Sequence, residues 1–323
     1  MKSALTAIAF VTMAATATLA QAQDKVTFLT SWYAQAEHGG YYQAIANGIY
    51  KKHGLDVTIK MGGPQVNAVQ LVAAGQADFF MGKDFQVLSA IEQGVPLTTV
   101  AALFQKEPQG MVTHTDVNTL ADLKGKTVLV ATSGRSTWWP WLKAKYGLTD
   151  DQARPYTSNM QPFFADKTIA QQGYPGSEPY TAEKAGMKVK FFLFADDGYP
   201  PYGNTIATMQ KTVKERPDLT QRFVRATVEG WKSYLENPAP GNALIKQDNP
   251  KMDDEMLAFA HRKLKEMKFF DAGDAAKQGA GIMTDARWKN TYDFMISSGQ
   301  IKPIPNWQQA YTLQFVKDLK VMP

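Results

Sequence analysis

The sequence contains no cysteine. That excludes disulfides, thiolate metal ligands, a cysteine nucleophile and a lipid-bearing cysteine. A 323-residue chain without cross-links must be held by its core, and that length suffices for one large or two medium cores. Histidine is scarce. The four, at 38, 53, 114 and 261, share no metal-ligand spacing, and HExxH is missing. GxGxxG and GxSxG are missing too. The triplet Gly125-Lys126-Thr127 lacks the P-loop's earlier glycine, since Leu120 stands there, and its Lys-Thr pair runs into a strand-like run. Neither a cofactor nor a metal is expected. Past residue 22, nothing approaches the roughly 18 to 20 continuous apolar residues of a membrane-spanning helix. The 35 basic and 30 acidic residues are interspersed. Short basic clusters, Lys51-Lys52 and Arg262, Lys263, Lys265, Lys268, read as solvated helix faces, so no nucleic-acid partner is expected.

What is present begins with Lys2, an uncharged run of small and apolar residues over 4–19, and Ala20-Gln21-Ala22, a small-x-small site. The pattern predicts a cleavable secretory signal over residues 1–22, with an N-terminal anchor helix as the alternative. Its removal takes Lys2 alone among the charged residues, leaving 34 basic against 30 acidic residues, or +4.

Residues 26–103 alternate strand-like and helical runs in the order βαβαβαβ, which implies right-handed crossovers and a largely parallel sheet. A second α/β unit follows, with a strand at Val128-Leu129-Val130-Ala131 and a helix over 138–146 stopped by Gly147. After a strand at 205–208 comes a helical tail, where Leu219, Phe223, Thr227, Trp231 and Tyr234 form one apolar stripe. The expected architecture is two α/β lobes, 23–110 with 205–323 and an inserted 111–204. Two crossings, near 109–113 and 195–205, form a hinge over a ligand cleft.

Four stretches crowd polar and aromatic groups at strand ends, where parallel sheets open onto a crevice. Trp32 lies in the loop of residues 30–42; the plainer reading makes Trp32 and Tyr42 caps of the core. Ser133 precedes a helix where amides and hydroxyls could hold a carbonyl or an anion. The Trp138-Trp139-Pro140-Trp141 run cannot place all three indoles in one core, so Trp138 is expected in the cleft. Glu178 either caps a helix or accepts from a ligand N–H. Asp84 is read as the N-cap of a helix starting at Phe85 and as a candidate ligand residue. Tyr202, in the turn-rich loop after Asp196-Asp197, is another candidate.

These stretches resemble the periplasmic solute-binding proteins of ABC importers, in the group that binds thiamine pyrimidine precursors, riboflavin, alkanesulfonates, taurine and nitrate. The likeness is carried by residues 32–42, Gly48-Ile49-Tyr50-Lys51-Lys52-His53-Gly54-Leu55-Asp56-Val57, Ala74-Gly75-Gln76-Ala77-Asp78, residues 122–128 and Gly173-Tyr174 with Glu178-Pro179-Tyr180. It implies an α/β type II periplasmic-binding-protein fold, a periplasmic location, monomeric state, and hand-off of a small-molecule ligand to a membrane permease with its ATPase. The Trp-Tyr…Glu-His-Gly-Gly-Tyr-Tyr loop is similar to that of the pyrimidine-precursor binders, where aromatics sandwich a flat heterocycle and a carboxylate meets its ring amines. By that resemblance Trp32, His38, Tyr41, Tyr174 and Glu178 are cleft residues. The Gln-x-x-x-Gly-Pro of many sulfonate binders is absent, while Arg135 keeps a small organic anion in view. The group also resembles an intracellular, Cys-rich synthase of the thiamine pyrimidine. The signal-like start and the missing cysteines separate this chain from it.

Overall fold

The computed structural model describes residues 23–322. The secretory-signal expectation falls on residues 1–22, outside the described residues. Among the described residues no helix is long and apolar enough to cross a membrane.

Strand β1 (Asp24–Leu29) buries Val26, Phe28 and Leu29. It pairs in parallel with β2 (Leu55–Lys60), from Asp24↔Leu55 to Leu29↔Lys60, and on its other edge with β3 (Phe79–Gly82). β4 (Leu97–Phe104) is buried along its whole length, Thr98 and Thr99 included, as a strand covered on both faces should be. The strands of the second unit are β5 (Gly110–Thr113), β6 (Thr127–Val130), β7 (Ala153–Pro155), β8 (Ile169–Gly173) and β9 (Lys190–Leu193). β10 (Gly203–Met209) then returns to the first sheet and inserts between β3 and β4, antiparallel to both.

The two sheets follow one plan. Their orders are β2-β1-β3-β10-β4 and β7-β6-β8-β5-β9, each with three parallel strands followed by an antiparallel one. The chain crosses between them over residues 105–109 and 194–202. The first crossing lies earlier than the sequence implies, because residues 110–113 are spent as a buried strand between β8 and β9.

Helix stops follow local chemistry. The Trp138–Tyr146 helix ends at Gly147, whose φ of 68° suits a residue without Cβ and whose N–H closes on Lys143 O at 2.8 Å. The Asp254–Glu266 helix is capped by Asp253, which accepts from Met256 N at 2.7 Å. The tail helix Pro217–Glu236 buries its whole stripe, Leu219, Phe223, Thr227, Trp231 and Tyr234. Helix Gly39–Ala46 lies on it at very short range. A Cβ on Gly40 would sit 2.2 Å from Trp231 Cγ, and one on Gly39 2.1 Å from Tyr234 Cζ. Gly40→Ala should therefore lower stability by about 1–3 kcal/mol through overpacking, read as a fall in the urea midpoint at unchanged slope. An unchanged midpoint would mean that the two helices part at no cost.

Candidate functional site

The carboxyl ends of β1, β3, β6, β7 and β8 open onto one cleft between the sheets, with about 690 Å³ of space including its open mouth. From the first lobe come Thr30, Ser31, Trp32 and Gln35 after β1, and Lys83 and Gln86 after β3. From the second come Ser133 after β6, Tyr156 after β7, and Gln172, Tyr174, Ser177 and Glu178 around the end of β8. Gln109, on the first crossing, closes the floor and donates to Gly173 O at 3.1 Å.

Trp32 and Tyr156 face each other across the cleft. Their ring centroids are 6.2 Å apart and their planes differ by 10°. Behind Tyr156 stands Glu178. Its Oε1 accepts from Tyr156 OH at 2.8 Å, and its Oε2 accepts from Tyr174 N at 2.8 Å and from the Ser177 hydroxyl. The carboxylate at the first residue of helix Glu178–Lys184 thus orders its own wall and keeps acceptor capacity on Oε1. Tyr174 OH donates to Glu107 Oε1 at 2.9 Å, and Lys83 Nζ donates to the same oxygen at 3.2 Å. Glu107 lies on the first crossing, so this buried group ties both lobes to the hinge. Gln172 Oε1 accepts from Ala131 N at 2.6 Å, which turns its amide along the wall.

Of the nine residues singled out from the sequence, four line this cleft: Trp32, Ser133, Tyr174 and Glu178. Five do not, and each needs correction. Tyr41 stacks on Phe28 at 4.1 Å and meets Trp231 edge-on, while its hydroxyl donates to Asn204 Oδ1 at 2.6 Å; it is core. His38 is fully buried and both ring nitrogens lack a partner among the described residues. Burial pulls its pKa down to about 3, so the ring is neutral. Both follow from the Ala36–His38 turn, which aims residues 36–42 at the tail helices instead of the cleft. Tyr42 is core as well, with its hydroxyl donating to Asp248 Oδ2.

Asp84 is not a cap. It is the first residue of helix Asp84–Glu92, and its Oδ2 accepts from Tyr202 N at 3.0 Å on the second crossing. Burial raises its carboxyl to about 7. Tyr202 lies under the Arg287 guanidinium, 3.8 Å from ring centroid to Cζ, and its hydroxyl accepts from Thr284 N. Arg287 also donates to Gln105 O at 2.6 Å and Pro200 O at 3.4 Å, one on each crossing, so Asp84, Tyr202 and Arg287 form a hinge anchor. Trp138 packs on Phe194 at 5.1 Å, and Trp139 and Trp141 are buried with it. One helix can bury all three because it lies beneath its own sheet and against the hinge aromatics: Trp141 meets Phe194 and Tyr199, and Tyr199 meets Phe85 of the first lobe.

Tyr156, Gln35, Lys83, Gln86 and Gln109 were not among the residues singled out from the sequence, although Gln35 and Gln109 lie within stretches it marked. The strand-end rule that found Trp32 also applies to Tyr156, but β7 is three residues long and contains Arg154 and Pro155, so it has no strand-like pattern. Among the described residues that line the cleft, Lys83 is the one basic side chain, and Glu107 pairs with it. Arg135 is exposed and outside the lining.

The model of the NMT1/THI5-like family matches residues 35–240. The chain is 27% identical over 304 residues to the riboflavin-binding protein RibY of Chloroflexus aurantiacus, covering 91% of this chain and 86% of that protein. It is 24% identical over 315 residues to the formylaminopyrimidine-binding protein of Halalkalibacterium halodurans, covering 91% of this chain and 93% of that one. The solved structure of the alkanesulfonate-binding protein SsuA from Xanthomonas axonopodis pv. citri, bound to MOPS, superposes with a TM-score of 0.64 at 14% identity, over 89% of this chain and 98% of that one. The structural likeness establishes the fold: two α/β lobes of the type II periplasmic-binding kind.

Proposed function

We propose, from the premise that this chain belongs to the NMT1/THI5-like family, that it is the solute-binding component of an ABC importer, taking a small planar nitrogen heterocycle and releasing it unchanged. The observation that carries this reading is the Trp32–Tyr156 pair. Two near-parallel rings, one from each lobe, stand with their centroids 6.2 Å apart, so their facing surfaces can take a flat ring between them once the lobes part to the roughly 7 Å that two stacking contacts of about 3.5 Å require. A ring so placed is held on both faces. Glu178 Oε1 stands at the slot's edge to accept from a ring amine, and the amides of Gln35, Gln86, Gln109 and Gln172 offer both donors and acceptors to the remaining edge. In a closed cleft, a ligand that leaves such groups unpaired is strongly disfavoured. The two full-length relatives bear the names of binders of such heterocycles, riboflavin and formylaminopyrimidine.

In this reading the chain is exported, acts as a monomer and docks on a permease with its ATPase. The division into 23–110 with 205–323 and 111–204 describes the lobes that move. Binding of an organic anion would rest on neutral donors such as the Ser133 hydroxyl, without a free cation among the described lining residues to assist. Arg135 points elsewhere and Lys83 is paired, so that reading is the weaker one.

A thermal-shift panel of pyrimidines, thiamine, riboflavin, taurine, nitrate and small sulfonates tests the reading. A heterocycle at 100 times its Kd should stabilise the protein by about 2.7 kcal/mol. Stabilisation by taurine or nitrate alone would overturn it, as would an aldimine absorbance at Lys83 on addition of pyridoxal phosphate.

A further inference from the structure

Glu37 has no part in the cleft described above, yet its burial has a definite cause. It lies in the Ala36–His38 turn, 1% exposed, and neither carboxylate oxygen has a hydrogen-bond partner among the described residues. Its backbone carbonyl accepts from Asn204 Nδ2 at 2.8 Å, which holds the turn to the start of β10. The cover over the carboxylate comes from the other lobe. The loop after β8 sets Gly176 on it so closely that a Cβ there would be 2.8 Å from Glu37 Oε1 and 2.7 Å from Ala260 Cβ. Beside this point the lobes meet along two helices. Tyr180 packs on Phe259 at 5.3 Å and donates to Glu255 Oε2 at 3.0 Å, and Lys184 reaches Asp253 at 3.1 Å and Glu255 at 3.0 Å.

We propose that approach of the second lobe onto the first takes up one proton, held by Glu37 in this seam. The inference rests on lobe closure, which the binder reading requires, and not on the identity of the ligand. The groups facing Glu37 supply no compensating cation. From its own turn comes His38, neutral through burial; from the second lobe, Tyr174 and Glu178; from the tail helix, Tyr234, against which His261 packs edge-on. Burial, with the like charge of Glu178, raises the Glu37 carboxyl to about 7 from an ordinary value of 4.5. Opening returns it toward water and its ordinary value. The closed form therefore binds more protons than the open form between those two values. Closure is favoured at acidic pH, weakens by about tenfold per pH unit as pH rises through the window, and is flat above about 7.

The absence of native cysteine allows a direct test without ligand. Lys51→Cys and Lys167→Cys, exposed positions in the two lobes, carry a dye pair, and single-molecule energy transfer reads the closed-to-open ratio from pH 5 to 8. The ratio should rise about tenfold per unit on acidification below pH 7. Glu37→Gln should stay closed with no trend, and Gly176→Ala, which wedges the seam, should stay open with no trend. A parent without a trend, or an unchanged trend in Glu37→Gln or Gly176→Ala, would overturn the proposal.

Discussion

Trp32→Ala and Tyr156→Ala should each weaken binding of a planar heterocycle by about 30- to 100-fold; Trp32→Ala should leave the melting temperature of the free protein nearly unchanged, whereas Tyr156→Ala empties a buried position and should lower stability by about 3–5 kcal/mol. The stacking geometry contributes on the order of 1 kcal/mol beyond burial, and the ring face it covers adds about 1–2 kcal/mol at roughly 25 cal/mol per Å². Together these come to about 2–3 kcal/mol, and each 1.4 kcal/mol is tenfold in Kd. Trp32 is only half-buried and stands at the cleft surface, so its truncation opens no core cavity. Tyr156→Phe separates the ring from the hydroxyl: stacking persists, and one donor to Glu178 is lost. Titration calorimetry on the three variants checks the argument. A binder of small anions would be indifferent to Trp32→Ala, and unaltered affinity there would remove the sandwich from the mechanism.

Glu178→Ala should abolish measurable binding and also lower stability by about 2–3 kcal/mol. One carboxylate satisfies three donors, Tyr156 OH, Tyr174 N and the Ser177 hydroxyl. Tyr156 is 2% exposed, so its hydroxyl is left buried and unpaired, at a cost of roughly 1–3 kcal/mol. The loop bearing Tyr174 and Gly176 then loses its tether to the helix start. Glu178→Gln keeps the shape and one acceptor. It should retain the fold, measured by thermal melting, and lose about tenfold in affinity, since an amide presents a donor where a ring amine needs an acceptor. Full affinity in Glu178→Gln would place the ligand's amines elsewhere.

How far the site was legible depended on how long and how regular each element was. Trp32 and Ser133 follow strands with clear apolar runs, β1 and β6, so the rule that ligands gather at carboxyl ends of parallel strands reached them. Tyr174 and Glu178 sat in a turn-rich stretch that also carried the family likeness. Tyr156 follows a three-residue edge strand without periodicity and was invisible. His38 and Tyr41 were misplaced for a different reason. The family likeness carried them into the cleft, but the paired glycines that open the helix after His38 serve the close approach of two helices, and that contact turns Tyr41 onto Phe28 and Trp231. Trp138 was misplaced because apolar excess on one helix was judged against a single core, whereas the hinge aromatics Phe194 and Tyr199 provide a second one.

By itself the sequence determined the cysteine-free, core-held character of the protein, the alternation that makes two α/β lobes, and the strand ends at which a ligand could gather. Those properties are local: a period of two or 3.6 residues reports which face of an element leaves water. Only the tertiary structure decided that Trp32 would meet Tyr156, that Glu178 would order its own wall, and that Gly176 would close over Glu37. The first and last of these contacts join the two lobes, whose relative placement is set by the two crossings and their anchor at Asp84, Tyr202 and Arg287, and the second joins separate elements of one lobe. No periodicity within one element carries that information.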